Sequence, residues 1–145
     1  MINIATDGAC KGNPGPGGWG VYMEGEDSET RLSGGAKDTT NNRMELQAFI
    51  EACKHIESFE MLKEDNIIIW LDSTYVLKGA TQWLRGWRQK DYKGVKNDDL
   101  WRQVADLRHI WLKCDLQWCK GHATNVYNKE ADRLANEGVF KEDDW

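Results

Sequence analysis

The sequence has few of the features that cross-link a chain or carry it into a membrane. No run approaches the roughly 20 apolar residues that span a bilayer. The first residues, MINIATDG, have neither the basic nor the apolar segment of a secretion signal. No C-x-x-C pair occurs among the four cysteines, Cys10, Cys53, Cys114 and Cys119. We therefore expect free thiols, a cytoplasmic location and no membrane partner.

Histidine and proline are scarcer still. The three histidines, His55, His109 and His122, show no zinc-ligand spacing with the cysteines, which argues against a zinc site. The two prolines both lie in CKGNPGPGG, residues 10–18, together with four glycines. Such a composition predicts a tightly shaped loop.

The composition is that of a folded domain with a polarised surface. The 145 residues are 40% apolar and 30% charged, which suits one domain over residues 1–145, and we expect a monomer. The net charge is -5, yet residues 78–96 hold six basic residues and one acidic residue. That segment therefore carries +5 and the remainder -10. An acidic chain with one basic segment is compatible with local binding of a polyanion.

The first half of the chain predicts three strands, a helix and a fourth strand. INIATDGA, WGVYMEG and ETRLSGG read as an antiparallel meander. NNRMELQAFIEACKHIESF predicts a helix, because apolar residues recur at helical spacing at Leu46, Phe49, Ile50, Cys53 and Ile56. The five apolar residues from Ile67 to Leu71 predict a central strand covered on both faces.

The second half predicts helices around one further strand. STYVLKGATQWLRGWRQ indicates one or two helices with a break near Gly79, and DDLWRQVADLRHIW indicates another helix. LKCDLQWCKG alternates like a strand. NKEADRLANEG predicts a short helix with Asn128 as its N-cap and Gly138 at its end. The order of elements predicts an α/β fold with a mixed sheet.

Four carboxylates stand where apolar patterns make them unexpected. Asp7 and Asp72 end apolar strands, Glu45 opens a helix after TTNN, and Asp132 lies in the first turn of the last helix. Sites in open α/β sheets gather at the carboxyl ends of strands. Carboxylates gathered there would repel one another unless a hard divalent cation joined them, and oxygen ligands favour Mg²⁺ or Mn²⁺. Two such ions about 3.5–4 Å apart can drive phosphodiester hydrolysis.

Each acid also has an ordinary structural interpretation. Asp7 suits a turn, Glu45 a solvated helix surface, and Asp132 a favourable charge near a helix N-terminus. Only the combination of the four acids with the basic segment makes the metal site the better account.

The motifs together resemble the type 1 ribonuclease H family, in its bacterial layout. They are TDGACKGNPGPGGWG, TTNNRMEL, LDSTYV, VKNDDLW and KGHATNVYNKEAD, and they occur in the family's order over nearly the whole chain. The resemblance implies the RNase H-like fold, a five-stranded mixed sheet flanked by helices. It also implies Mg²⁺-dependent endonucleolytic cleavage of the RNA strand of RNA–DNA hybrids, leaving 5′-phosphate and 3′-hydroxyl ends.

The resemblance also assigns roles to individual residues. The metal-binding acids fall on Asp7, Glu45, Asp72 and Asp132, and a mobile-loop histidine that assists the leaving group or product release falls on His122. Residues that read the RNA strand match Cys10, Gly12, Asn13, Asn41 and Asn42. Residues that hold the DNA strand match Thr40 and Asn97 in a phosphate pocket, and Trp83, Arg85, Trp87 and Arg88 in a basic handle.

Some features depart from the family pattern, and other functions stay open at this point. The handle is short, Asp38 stands where several relatives carry a basic residue, and Thr74 replaces a common amide. These departures bear on affinity and cleavage-site preference. The alternatives are a DNA-cutting transposase, integrase or resolvase of the same fold, a non-catalytic binding module, and a nuclease domain cut from a polymerase polyprotein.

Overall fold

The sheet contains five strands in the order β3-β2-β1-β4-β5. The computed structural model describes residues 1–63, 65–119 and 125–140. Antiparallel pairing joins β1 to β2 and β2 to β3, whereas β4 runs parallel to both β1 and β5. The strands are β1 (Ile2–Cys10), β2 (Gly15–Glu24), β3 (Glu29–Thr39), β4 (Ile67–Leu71) and β5 (Asp115–Trp118). The predicted meander and mixed sheet are therefore confirmed.

Six α-helices lie among the described residues, with one 3-10 turn at Met61–Lys63 and one π-helical turn at Gly79–Trp83. The helices are α1 (Asn41–Ser58), α2 (Thr74–Lys78), α3 (Leu84–Gln89), α4 (Asp98–Asp106), α5 (Arg108–Trp111) and α6 (Val126–Gly138). Within these ranges no helix is both long enough and apolar enough to cross a membrane. All four cysteines are free thiols, as the sequence predicts.

Helix α1 covers one face of the sheet and forms the main core. Its predicted apolar stripe is confirmed, because all five residues are buried: Leu46, Phe49, Ile50, Cys53 and Ile56. They pack with Ile4, Ile69 and Leu71 from the two central parallel strands. Strand β4 is central as predicted, but only one of its faces is fully buried. Ile68 and Trp70 on the other face are half-buried, so the expectation of complete cover on both faces is wrong.

Helix α6 covers the other face through direct backbone contact with β2. A Cβ atom at Gly20 would lie 2.4 Å from the carbonyl oxygen of Ala131, so only glycine permits this approach. The helix begins earlier than predicted. Asn125, in an extended conformation, is the N-cap, and its Oδ1 accepts the N–H of Asn128 at 3.0 Å. The prediction of Asn128 as N-cap is wrong, and Asn128 is instead fully buried inside the first turn.

The helical segments after β4 follow the prediction with one difference. The predicted break near Gly79 is confirmed, because α2 gives way there to the π-helical turn before α3 begins. The helix expected over residues 98–111 is divided at Leu107 into α4 and α5. There the indole of Trp111 donates to the carbonyl of Val104 at 2.8 Å, which occupies an acceptor that a continuous helix would use.

Candidate active site

Asp7 and Asp72 occupy equivalent positions on the two central parallel strands. The parallel pairing of β1 with β4 ends at Thr6 and Leu71, so the next residue on each strand is an aspartate. Asp7 is 2% exposed and Asp72 is half-buried. Only Asp72 directly follows the end of its strand. The expectation that Asp7 ends β1 is wrong, since β1 continues to Cys10 through its pairing with β2.

Glu45 reaches this strand end from α1. The helix begins at Asn41, so Glu45 lies in its second turn and does not open it as predicted. The backbone N–H of Gly8 donates at 2.9 Å to Asp7 Oδ1 and at 2.9 Å to Glu45 Oε1. A Cβ atom at Gly8 would lie 2.5 Å from the backbone nitrogen of Glu45. Glycine at this position therefore allows α1 to bring its carboxylate against β1.

The three carboxylates form one compact group. Oxygen atoms of Asp7, Glu45 and Asp72 all lie within 4.8 Å of one another. Asp132, on α6, is near enough to Asp7 to contribute to the raised pKa of that residue. Because α6 begins at Val126, Asp132 stands in the second helical turn, and the prediction of the first turn is wrong. The four predicted acids are thus brought to one end of the sheet.

The group is electrostatically unfavourable without a cation. Burial, and then the charges of Glu45 and Asp72, raise the pKa of Asp7 far above its usual range. Burial and the charge of Asp72 likewise raise the pKa of Glu45. Asp7 Oδ2 is buried and has no hydrogen-bond partner among the described residues. An all-oxygen donor set with a free buried carboxylate oxygen fits a hard divalent cation such as Mg²⁺ or Mn²⁺. His122 lies outside the described residues.

The residues matched to RNA-strand binding lie beside the acids, on the loop after β1 and at the start of α1. Asn13 Oδ1 accepts the backbone N–H of Asn41 at 2.8 Å, which ties the loop to the helix. Cys10 is half-buried, and its Sγ lies 3.5 Å from the carbonyl oxygen of Thr39. Asn13, Asn41 and Asn42 are exposed, as is Gly12. This surface presents backbone and amide groups next to the carboxylates.

The two residues matched to a phosphate pocket are joined by an arginine that the sequence analysis did not identify. Thr40 is the N-cap of α1, and its Oγ1 accepts the N–H of Arg43 at 3.3 Å. The Arg43 side chain donates to Asn97 Oδ1 at 3.3 Å and to both carboxylate oxygens of Asp99 at 2.9 and 2.6 Å. The only sequence signal for Arg43 was its place between Thr40 and Glu45, because Asp99 lies 56 residues away.

The basic handle has one exposed and one packed tryptophan. Trp83 is 41% exposed, whereas Trp87 is half-buried with its ring centroid 5.0 Å from that of Trp101 in the core. Trp87 therefore packs against the core, whereas Trp83 remains at the surface. Arg85 and Arg88 are exposed beside them.

Two of the three departures from the family pattern are single residues with exposed side chains. Asp38 is exposed near the end of β3, and Thr74 is the exposed first residue of α2. Asp38 is also close enough to Cys10 to add to the effect of burial in raising the pKa of that thiol.

Comparison with known proteins identifies the family. The family model for RNase H matches residues 1–140. The chain is 44% identical over 143 residues to the Ribonuclease H of Chromobacterium violaceum, covering 95% of this chain and 94% of that protein. It is 46% identical over 146 residues to the Ribonuclease HI of Caulobacter vibrioides, covering 95% and 92%. The crystal structure of LC11-RNase H1 in complex with an RNA/DNA hybrid matches with a TM-score of 0.68 at 27% identity, covering 97% of this chain and 98% of that one. The family model and these relatives match nearly the whole length of the chain, and the chain therefore belongs to the RNase H family.

Proposed function

We propose that this protein is a divalent-metal-dependent endonuclease that hydrolyses the RNA strand of RNA–DNA hybrids. The observation that carries the proposal is the group of Asp7, Glu45 and Asp72 within 4.8 Å, in a chain of the RNase H family. The ribonuclease H names of its relatives, and the hybrid bound in the LC11-RNase H1 structure, support this substrate. The expected products carry 5′-phosphate and 3′-hydroxyl ends.

The four acids are proposed to hold the metal. Asp7 offers its free buried oxygen, and Glu45 and Asp72 offer oxygens facing the same point. Asp132 completes the group from α6. Two Mg²⁺ ions bound here would lower the pKa of the attacking water and neutralise charge on the phosphodiester. Gly8 holds two of the carboxylates through one N–H, which fixes their separation before substrate arrives. His122 is proposed to move a proton at the leaving oxygen or to aid product release.

Substrate selection is proposed to divide between two surfaces. The loop of Cys10, Gly12 and Asn13 and the adjacent Asn41 and Asn42 present donors and acceptors, which suit recognition of 2′-hydroxyl groups. Such groups mark the RNA strand and are absent from DNA.

The DNA strand is proposed to lie across the phosphate pocket and the handle. Thr40 and Asn97 would contact phosphate, and Trp83, Trp87, Arg85 and Arg88 would contact the strand further along. Hybrid binding should therefore weaken as the salt concentration rises, since the two arginines release counterions from the strand when they bind it.

One cleavage experiment tests the proposal. A hybrid labelled at one RNA end is incubated with the protein in Mg²⁺ and in chelator, beside matched RNA and DNA duplexes. We expect cleavage of the hybrid's RNA strand alone, and none with chelator. Cleavage of duplex DNA would favour a DNA-cutting enzyme of the same fold. A folded protein that binds hybrid but leaves it intact in Mg²⁺ and Mn²⁺ would be a binding module.

A further inference from the structure

A chain of hydrogen-bonded side chains runs from Asp99 through Asn97 to the core. Arg43 bridges the carboxylate of Asp99 and the amide oxygen of Asn97. On its other side, Asn97 Nδ2 donates to the hydroxyl oxygen of Tyr75 at 3.1 Å. The indole N–H of the buried Trp101 donates to the same hydroxyl oxygen at 2.9 Å. The sequence analysis predicted a role for Asn97 alone among these residues.

The donors in this series of hydrogen bonds fix which way the amide of Asn97 faces. A guanidinium only donates, so the amide oxygen of Asn97 must face Arg43 and its nitrogen must face Tyr75. An indole also only donates, so the Tyr75 oxygen accepts from two sides. The donors that remain are the second amide N–H of Asn97 and the O–H of Tyr75. Thr40 adds a third donor, because its Oγ1 accepts from a backbone N–H.

Two members of this cluster lie close in sequence to two of the acids. Asn97 has φ 62° and ψ 31°, a left-handed conformation that asparagine tolerates better than most residues. Tyr75 lies in α2, three residues after Asp72, and Arg43 lies in α1, two residues before Glu45. Asp99 is neutralised by Arg43, so it does not oppose an incoming anion.

We propose that Arg43 and Tyr75 are positioning residues that set the amide of Asn97 so that one phosphodiester of the DNA strand meets its N–H group and not its oxygen. A phosphodiester oxygen only accepts, which matches the donors that Asn97, Tyr75 and Thr40 leave free. With the amide reversed, Asn97 would present its oxygen to the phosphate, and the two acceptors would repel. This inference rests on the proposed hybrid substrate and names how one strand of it is held.

The test compares Tyr75→Phe with the matched control Tyr22→Phe. Tyr75→Phe keeps the ring, which packs against Trp101 with centroids 5.5 Å apart, and removes only the hydroxyl. Tyr22 stands on β2 against Tyr127 and donates to Glu24, away from this cluster. A series of hybrids carries one uncharged methylphosphonate at successive positions of the DNA strand, and KM and kcat are measured for each.

In the wild-type protein we expect one methylphosphonate position to raise KM by about 10-fold, the size of a lost hydrogen bond to a charged group. Tyr75→Phe should raise KM of the unmodified hybrid by a similar factor with kcat within about twofold. It should also abolish the sensitivity to that one position. Tyr22→Phe should leave KM unchanged, and it should keep the rise in KM at the one sensitive methylphosphonate position, which we call the position effect. Arg43→Gln, which frees the Asn97 amide to turn without touching the indole of Trp101, should reproduce the loss of sensitivity.

Three results would overturn the inference. The first is a Tyr75→Phe protein whose KM rises while the position effect persists, because the hydroxyl would then act only on stability. The second is a full position effect in Arg43→Gln, which also decides the matter if Tyr75→Phe does not fold. The third is a wild-type protein that cleaves hybrid with no sensitive position, which removes the pocket but leaves the proposed nuclease function standing. Loss of hybrid cleavage by the wild type would instead refute the nuclease function.

Discussion

Replacing Asp7 by asparagine should stabilise the metal-free protein while removing a ligand of the proposed metal site. The folded state raises the pKa of Asp7 above its ordinary value of 3.8, because burial and two nearby carboxylates disfavour the charge. The folded state therefore binds this proton more tightly than the unfolded state. The contribution of protonated Asp7 to stability is fully present below about pH 4 and is lost as the pH rises toward the raised pKa. Asparagine carries no such penalty and keeps an oxygen for the N–H of Gly8.

The structure bounds the size of this effect. Two unit charges 4.8 Å apart repel by about 3.5 kcal/mol at an effective dielectric constant of about 20. At pH 8 the unfolded chain has lost this proton, because the ordinary pKa of the group is 3.8. If the folded protein keeps the proton, folding is penalised by at most about 5.7 kcal/mol, at about 1.36 kcal/mol per pH unit. A weaker bond from Gly8 to a neutral oxygen offsets about 1 kcal/mol. We therefore expect a gain of about 3 kcal/mol, or about 9 °C in Tm.

The assay is thermal and urea unfolding followed by circular dichroism, with chelator, from about pH 4 to pH 8. The gain of Asp7→Asn over wild type should be near zero at the acid end and grow as pH rises. Adding Mg²⁺ should stabilise the wild type more than the variant, since the ion binds only the folded site. A variant less stable than wild type near pH 8 in chelator would refute the reasoning, because mutual repulsion would then not dominate the site.

Three further perturbations probe the site and its supports. Asp72→Asn should abolish cleavage and keep hybrid binding, and turnover near the wild-type rate in a gel assay would contradict its role as a ligand. Changing Lys90, Lys93 and Lys96 to alanine should raise KM more than it lowers kcat. It should also reduce the slope of log Kd against log salt by up to about 3, whereas a fall in kcat alone would count against a substrate-holding handle. Gly8→Ala should lower Tm and activity together because its Cβ would lie 2.5 Å from α1 backbone, and an unchanged Tm would show that the helix shifts freely.

Local patterns predicted the elements well because the constraint that shapes each element is also local. The stripe from Leu46 to Ile56 repeats at helical spacing, since one side of α1 must face the sheet, and all five of its members are buried. The apolar run before Asp72 likewise predicted β4 and the place where it ends. Both depend on residues within one element.

The features that sequence reasoning missed depend on distant partners. Asn125 and Asn128 are equally good caps by composition, and only the packing of α6 against the sheet buries the second. Strand β1 continues past Asp7 because β2 pairs with it there, which the residues around Asp7 do not reveal. The hydroxyl of Tyr75 accepts a hydrogen bond from Asn97, which lies 22 residues later in the chain.

The hydrogen bond between Asn13 and Asn41 has a consequence for where the substrate is cut. It ties the loop proposed to sense 2′-hydroxyl groups to the first residue of the helix that carries Glu45, which favours a constant separation between the two. The distance along the RNA between the sugar that is read and the bond that is broken is then a fixed number of nucleotides. On a strand with a single block of ribonucleotides inside DNA, the protein should cut at a constant distance from the end of the block. Moving the block should therefore move the cut by the same number of nucleotides, whatever the surrounding sequence.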